Sequence, residues 1–174
     1  MKGTGLISFD RPFIIDVEAS GFGPLSYPIE VGLALTENDR YCRLIRPDVS
    51  WTHWDRKAES LHHISRDLLI ASGRPISEIA RDLNRILGNV TVYSDGWVVD
   101  KPWMTRLFNQ AEITPSFTIS PLERILTEEQ MAIWHETKDH LITSLSVNRH
   151  RASTDAYIIQ ETYRQTRIRT QPHH

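Results

Sequence analysis

Asp16 and Glu18 stand two residues apart behind the short apolar, β-rich run Phe13-Ile14-Ile15. Residues i and i+2 of a strand project from the same face, so this strand end presents two carboxylates to one point. Late in the chain, His150 precedes Asp155 by five residues. Asp155 falls near the start of a helical pattern, where the positive end of the helix dipole favours a carboxylate. A fourth acid, Asp100, follows another strand-like run and precedes Lys101-Pro102-Trp103. Asp commonly caps a helix at such a place, and proline is tolerated in the first turn. Each residue alone has a plainer reading: a solvated strand end, two helix caps, a surface histidine. Jointly they offer hard oxygen ligands for Mg²⁺ or Mn²⁺ and an imidazole that titrates near neutrality. Asp95 competes for a ligand role, but its Ser94-Asp95-Gly96 turn explains it adequately.

The elements that must position these groups follow an α/β order. After Asp16-Val17-Glu18-Ala19-Ser20-Gly21 comes the turn-rich Phe22-Gly23-Pro24, then Ile29, Val31, Leu33 and Leu35 alternating as one face of a second strand. Residues 41–46 alternate as a third strand ended by Pro47. Residues 65–71 predict a short helix, and Ile76, Ile79, Ala80, Leu83 and Leu87 recur at helical spacing until Gly88. A fourth strand at 90–93, a helix near 100–111 and a short strand at 117–119 follow, and the last third is mainly helical. Ala152, Ala156, Ile159 and Tyr163 mark a buried stripe on the final helix. The polar stretch 164–174 is expected to fray as a tail of a single domain spanning 1–174.

At 174 residues with 40% hydrophobic residues, the chain is long enough to bury one real core. No apolar run approaches the roughly 20 residues of a membrane span, and the start lacks an apolar h-region, so no membrane partner and a cytoplasmic location are expected. Cys42 is the single cysteine, which excludes internal disulfides and a cysteine-rich zinc site. A net charge of −2 and a pI of about 6.4 argue against gripping long nucleic acid by bulk electrostatics. Carboxylates gathered for metals would themselves lower that charge, and bound ions would restore positive potential where a phosphate docks.

The motifs resemble those of the DEDDh (DnaQ-like) 3′-to-5′ exonucleases, the superfamily of polymerase proofreading subunits, RNase T and oligoribonuclease. The family's Asp-x-Glu-x-Thr-Gly corresponds to Asp16, Glu18, Ser20 and Gly21, followed by Ile29-Glu30-Val31-Gly32. Its His-Asn-x-x-Phe-Asp is met by Ser94-Asp95-Gly96-Trp97-Val98-Val99-Asp100, and its His-x-x-x-x-Asp by His150 and Asp155. Leu61-His62-His63-Ile64-Ser65 resembles the His-Gly-Ile-Thr stretch between the first two motifs. Ser94-Asp95 in place of His-Asn is the clear departure, and it puts substrate preference or grip in question.

The resemblance implies an RNase H-like fold, a mixed five-stranded sheet flanked by helices. It also implies two Mg²⁺ or Mn²⁺ ions about 3.5–4 Å apart that clamp the attacking and leaving oxygens of an in-line phosphodiester displacement. In that scheme Asp16 bridges both ions, Glu18 and Asp155 complete one, Asp100 holds the second, and His150 is the general base. Ser20 and Gly21, with Phe22 and Leu25 against the terminal bases, would meet the substrate, the 3′ end of a short or single-stranded nucleic acid. Trp51, His53 and Trp54 could line the same groove or simply pack in the core. Small relatives act as dimers, so a homodimer is open. The choice between DNA and RNA is not legible, since such enzymes hold a few terminal nucleotides by sugar and phosphate.

Other site readings fail. His135 and His140 lie five residues apart, which does not place both on one helical face. Adjacent His62 and His63 diverge on any regular element, and no glycine-rich phosphate loop or nucleophile elbow occurs. The reading that competes with an active exonuclease is a catalytically silent nucleic-acid-binding or scaffold domain of the same fold. Such a domain has no need of four acids and a histidine together.

Overall fold

Alternation of Ile15, Val17 and Ala19 with Ile14, Asp16 and Glu18 builds β1 (Ile14–Ala19), the strand on which the site depends. In the computed structural model, which describes residues 11–36, 39–146 and 150–171, β1 is the middle of a five-stranded sheet. β2 (Pro28–Ala34) and β3 (Arg40–Leu44) lie to one side, and β4 (Thr91–Ser94) and β5 (Thr118–Pro121) to the other, in the order β3-β2-β1-β4-β5. β1–β2 and β2–β3 are antiparallel, while β1–β4 and β4–β5 are parallel. With helices around it, this is the mixed sheet expected of an RNase H-like fold.

Both faces of the sheet are covered, which is why β2 is buried at every position. On one face Val17, Ile29, Val31, Leu33 and Val92 pack with α3 (Ile76–Leu87) and α4 (Trp97–Ala111). On the other, Ile14 and Ala34 pack with Trp134 of α5 (Glu128–Leu145) and with Ala156, Ile159 and Tyr163 of α6 (Ala152–Thr170). The predicted α6 stripe is thus the buried one. Gln160, also on α6, donates to the carbonyls of Pro12 at 2.9 Å and Leu35 at 2.8 Å, pinning the helix to two strand termini.

The differences from expectation are local. α1 (Arg56–His62), capped by Asp55 accepting from Lys57 N at 2.8 Å, was not anticipated, because its short segment lacks a clear apolar stripe. α2 (Arg66–Ser72) starts as expected at the Ser65 cap, and β3 ends at Leu44, with Ile45 forming a lone bridge to Arg74. α4 begins at Trp97, three residues early, so Gly96 occupies the cap position, Asp100 lies within the first turn and Pro102 lies inside the helix. The stretch from Arg164 suggested as a tail is helical through Thr170, with Thr166 buried and Arg164 held by Glu161 at 2.5 Å; residues 172–174 lie outside the described residues. Among the described residues no helix is long and apolar enough to cross a membrane.

Candidate active site

The acids meet where β1 outruns β4. β1 pairs with β4 only at Ile14↔Tyr93, and β4 turns away after Ser94, so the β4-facing edge of β1 beyond Ile14 is open. α4 fills that gap. Its Asp100, 3% exposed, takes a hydrogen bond from the Val17 backbone and another from Ser94 Oγ at 2.6 Å. Ser94 Oγ in turn accepts from Gly96 N at 3.0 Å, which ties the motif's departure from His-Asn to the start of α4. Ligands collect in this way at the carboxyl ends of parallel strands, where the strand order runs outward in both directions.

From the opposite face comes α6. Asp16 is paired with Gly32 across β1–β2 and Glu18 with Glu30, so all four share the face on which α6 lies. A Cβ on Gly32 would stand 2.2 Å from both the carbonyl carbon of Ala152 and the nitrogen of Ser153. Only a glycine lets the first turn of α6 press against the strand beside Asp16. Glu30, fully buried, caps that turn by accepting from Ala152 N at 2.9 Å and pairs with Arg151, whose Nη2 donates to Oε1 at 2.6 Å. His150, at φ 63°, donates its backbone N–H to Asp155 Oδ2 at 2.9 Å. One ligand atom from each of Glu18, His150 and Asp155 then lies within 4.8 Å of the other two.

Electrostatics join the remaining acids to this trio. Burial pushes the Asp16 carboxyl well above the usual range, and the charges of Asp100, Glu18, Asp155 and Asp95 push it further. Asp100 is raised to about 7, by burial first and then by Asp95 and Glu18, against the lowering bonds from Ser94 and Val17. Carboxylates crowded until two of them resist ionisation are a site short of positive charge, and their oxygen donors suit hard divalent cations. The donor set therefore fits the metals that the sequence implied. Asp95 is more than a turn residue: Lys138 of α5 pairs with it at 2.7 Å, and its charge reaches both Asp16 and Asp100.

The loop after β1 divides the expected substrate residues. Ser20 is fully buried, its hydroxyl accepting from Tyr27 N at 3.1 Å and bonded to His53 Nδ1 at 3.0 Å, so it holds the loop closed. Gly21 is buried at φ 146°, where a Cβ would come within 2.7 Å of Asp55 Cβ. Phe22 and Leu25, by contrast, are 72% and 66% exposed. Trp51 is core, stacked on Tyr27 at 5.2 Å, and the partly buried Trp54 donates to Glu59 at 2.7 Å.

No family model and no curated protein matches the chain. Solved structures do: E. coli exonuclease I in a zinc-bound complex with single-stranded DNA aligns with TM-score 0.72 at 13% identity, over 91% of this chain and 40% of that one. The chain shares the exonuclease I fold. The same enzyme with a dT13 oligonucleotide gives TM-score 0.70 at 12% identity, over 91% and 40% of the two chains. A further exonuclease I structure, described as suggesting how processivity is achieved, gives 0.72 at 14% identity, over 91% and 41%. The chain thus spans about 40% of the length of these neighbours.

Sequence reasoning read Glu30 and Gly32 only as parts of a strand and passed over Arg151. A charged residue and a glycine inside an otherwise apolar strand were the available signal, since each asks for a partner or a close backbone approach.

Proposed function

We propose that the chain is a metal-dependent exonuclease that removes 5′-mononucleotides from the 3′ end of single-stranded DNA or RNA. The observation that carries this reading is the convergence of Glu18 of β1, Asp155 of α6 and His150 just before α6 to ligating distance beside Asp16. The similarity in fold to exonuclease I, solved with single-stranded DNA, supports it. Asp16, Glu18, Asp100 and Asp155 would hold two Mg²⁺ or Mn²⁺ ions. When bound, these supply charge neutralisation at the phosphate and a polarised water.

The chain's own groups do the rest. His150 takes a proton from the attacking water as its oxygen bonds to phosphorus. The bond from phosphorus to the 3′ oxygen of the penultimate nucleotide breaks, and that oxygen leaves with a proton as the new 3′ hydroxyl. Phe22 and Leu25 stack against the terminal bases. Glu30 and Arg151 keep His150 and Asp155 in place throughout.

Matched 3′-end-labelled and 5′-end-labelled DNA and RNA oligonucleotides, incubated with Mg²⁺ or Mn²⁺, test the proposal. A 3′ label released at once as mononucleotide, with a 5′-labelled ladder shortening stepwise, is the expected pattern. Asp16→Asn abolishes both. Retention of full-length strands by the unaltered chain with either metal overturns the reading in favour of a silent binding domain.

A further inference from the structure

Beside the acids, between the loop 23–26 and α4, runs a groove of about 940 Å³ whose chemistry is the reverse of theirs. Its lining includes Trp51, Trp97 and Trp103 and carries Lys101 and Arg106, in a chain of net charge −2; the carboxylate held against that lining, Asp48, accepts from Ser50 and Gln110. We propose that this groove is a subsite for unpaired nucleic acid, holding the strand 5′ of the scissile phosphate by base stacking and phosphate contact; the direction of the strand rests on the nuclease reading above.

The walls are already built. Trp103 Nε1 donates to Ser26 Oγ at 2.9 Å and Arg106 Nη1 donates to Ser26 O at 2.8 Å, fixing α4 to the loop. Trp97 Nε1 donates to Ile119 O at 3.0 Å, which sets the plane of its indole. Lys101 Nζ stands 4.9 Å from the centre of that ring, so one residue pair offers a flat surface and a cation together. Phe22, exposed, leans towards Trp103 with ring centres 6.2 Å apart and extends the aromatic wall outward from the loop.

One end of the groove is fixed relative to the acids, because Trp97 and Lys101 flank Asp100 in the first turns of α4. From Trp97 to Gln110 the helix advances about 20 Å. At 3.4 Å per stacked nucleotide this accommodates no more than about six. Trp97, partly exposed, and the exposed Phe22 offer flat rings that accept any base, while the buried Trp51 and Trp103 form the floor behind them; beside these rings two cations suit a polyanion, the combination that binds single strands without reading sequence. The acidic cluster next door would repel the same phosphates unless metals occupied it, so the groove supplies grip that the cluster cannot.

The test uses the Asp16→Asn chain, expected to bind without cutting, and fluorescein-labelled oligo(dT) and oligo(U) of 2, 4, 6, 8 and 12 nucleotides followed by anisotropy. Affinity is expected to climb with length and level off near six. Trp97→Ala is expected to weaken the 8-mer by at least about fivefold while Trp97→Phe retains most of the binding. Lys101→Ala is expected to reduce the salt slope of binding by about 0.7, the value of one lost phosphate contact to a single strand. Length-independent affinity beyond two nucleotides overturns the subsite, as does a Lys101→Ala salt slope equal to that of its parent; the latter decides even if Trp97→Ala fails to fold. Hydrolysis of the p-nitrophenyl ester of thymidine 5′-phosphate by the unaltered chain with Mn²⁺ tests the nuclease reading separately. No hydrolysis with length-dependent binding retained removes that reading and its strand direction but keeps the subsite.

Discussion

Glu30 of β2 and Arg151, the residue that follows His150, form a two-point ion pair: Arg151 Nη2 lies 2.6 Å from Oε1, and Nε lies 3.1 Å from both carboxylate oxygens. Glu30 is fully buried, whereas the Arg151 side chain is 47% exposed. The buried partner is therefore the one that can be stranded. Because Glu30 also receives Ala152 N, one carboxylate fixes the backbone on the far side of His150 from the Asp155 bond. Left-handed backbone at a non-glycine residue persists only when its surroundings hold it, and here it is held from both ends.

Glu30→Gln should therefore act through His150 and Asp155. It keeps the shape but gives up the charge that Arg151 and the α6 amide share, at a stability cost of about 2–4 kcal/mol. The expected outcome is a kcat loss larger than the folded fraction explains, with KM for an oligonucleotide little changed. Denaturant melts and steady-state rates on the same preparation check it; equal losses in kcat and folded fraction would make the pair purely structural.

Asp16, Glu18 and Asp155 were legible because strand and helix periods place them. Asp16 and Glu18 share a face by the period of a strand, and the α6 stripe through Ala156 and Ile159 puts Asp155 near the sheet. The supports were not legible, because they are pairings between distant segments. Glu30 needs Arg151, Asp95 needs Lys138, and the gap that admits Asp100 exists only because β4 ends beside β1. Ser20 was assigned to substrate from its motif position, yet the turn back to Tyr27 buries it. The start of α4 was placed late because its first turn, Trp97-Val98-Val99, continues the apolar look of a strand.

Gly32→Ala isolates the close approach of α6. The added methyl meets backbone atoms, Ala152 C and Ser153 N at 2.2 Å, and these cannot rotate away as a side chain could. Overpacking of this kind costs about 1–3 kcal/mol. Since the shift moves Asp155 relative to Asp16, activity should fall at least tenfold in protein that calorimetry shows to be still folded. Unaltered activity would mean that α6 tolerates a different seat.

Ser94→Ala removes the hydroxyl that donates to Asp100 at 2.6 Å. That bond favours the ionised carboxylate, so its loss should raise Asp100 beyond the value of about 7 it has now. Asp100 would then be protonated at neutral pH and a poorer metal ligand. The expected activity deficit is largest near pH 7 and shrinks towards pH 9, read from pH–rate profiles of the two proteins. A constant ratio across that range would detach Ser94 from the Asp100 ionisation.

His150→Ala separates proton transfer from ligation. As a general base His150 contributes roughly 10²–10⁴-fold, and the variant should lose that in rate while keeping the rise in melting temperature caused by Mn²⁺. Its ring also sits at ligating distance from Glu18 and Asp155. Loss of the Mn²⁺ shift would therefore reassign it as a ligand.

Metal removal and pH together report on the whole cluster. Asp16 and Asp100 have carboxyls raised above their ordinary value of 3.8, so in the chain stripped by EDTA the folded state holds protons that the unfolded state has already released. Stability then falls as pH rises from about 4 through about 7, the reverse of the usual carboxylate behaviour. For Asp100 alone the ceiling is about 4 kcal/mol, at 1.36 kcal/mol per unit between 3.8 and about 7. Divalent ions compete with those protons, so saturating Mn²⁺ should flatten or invert the slope, raise the melting temperature more at pH 8 than at pH 5, and release protons on binding. Asp100→Asn should remove much of the pH slope in EDTA. Melting curves at pH 5 and pH 8 with EDTA and with Mn²⁺, on both proteins, decide the matter: parallel shifts in the two would mean that the acids titrate independently and that no shared site couples them.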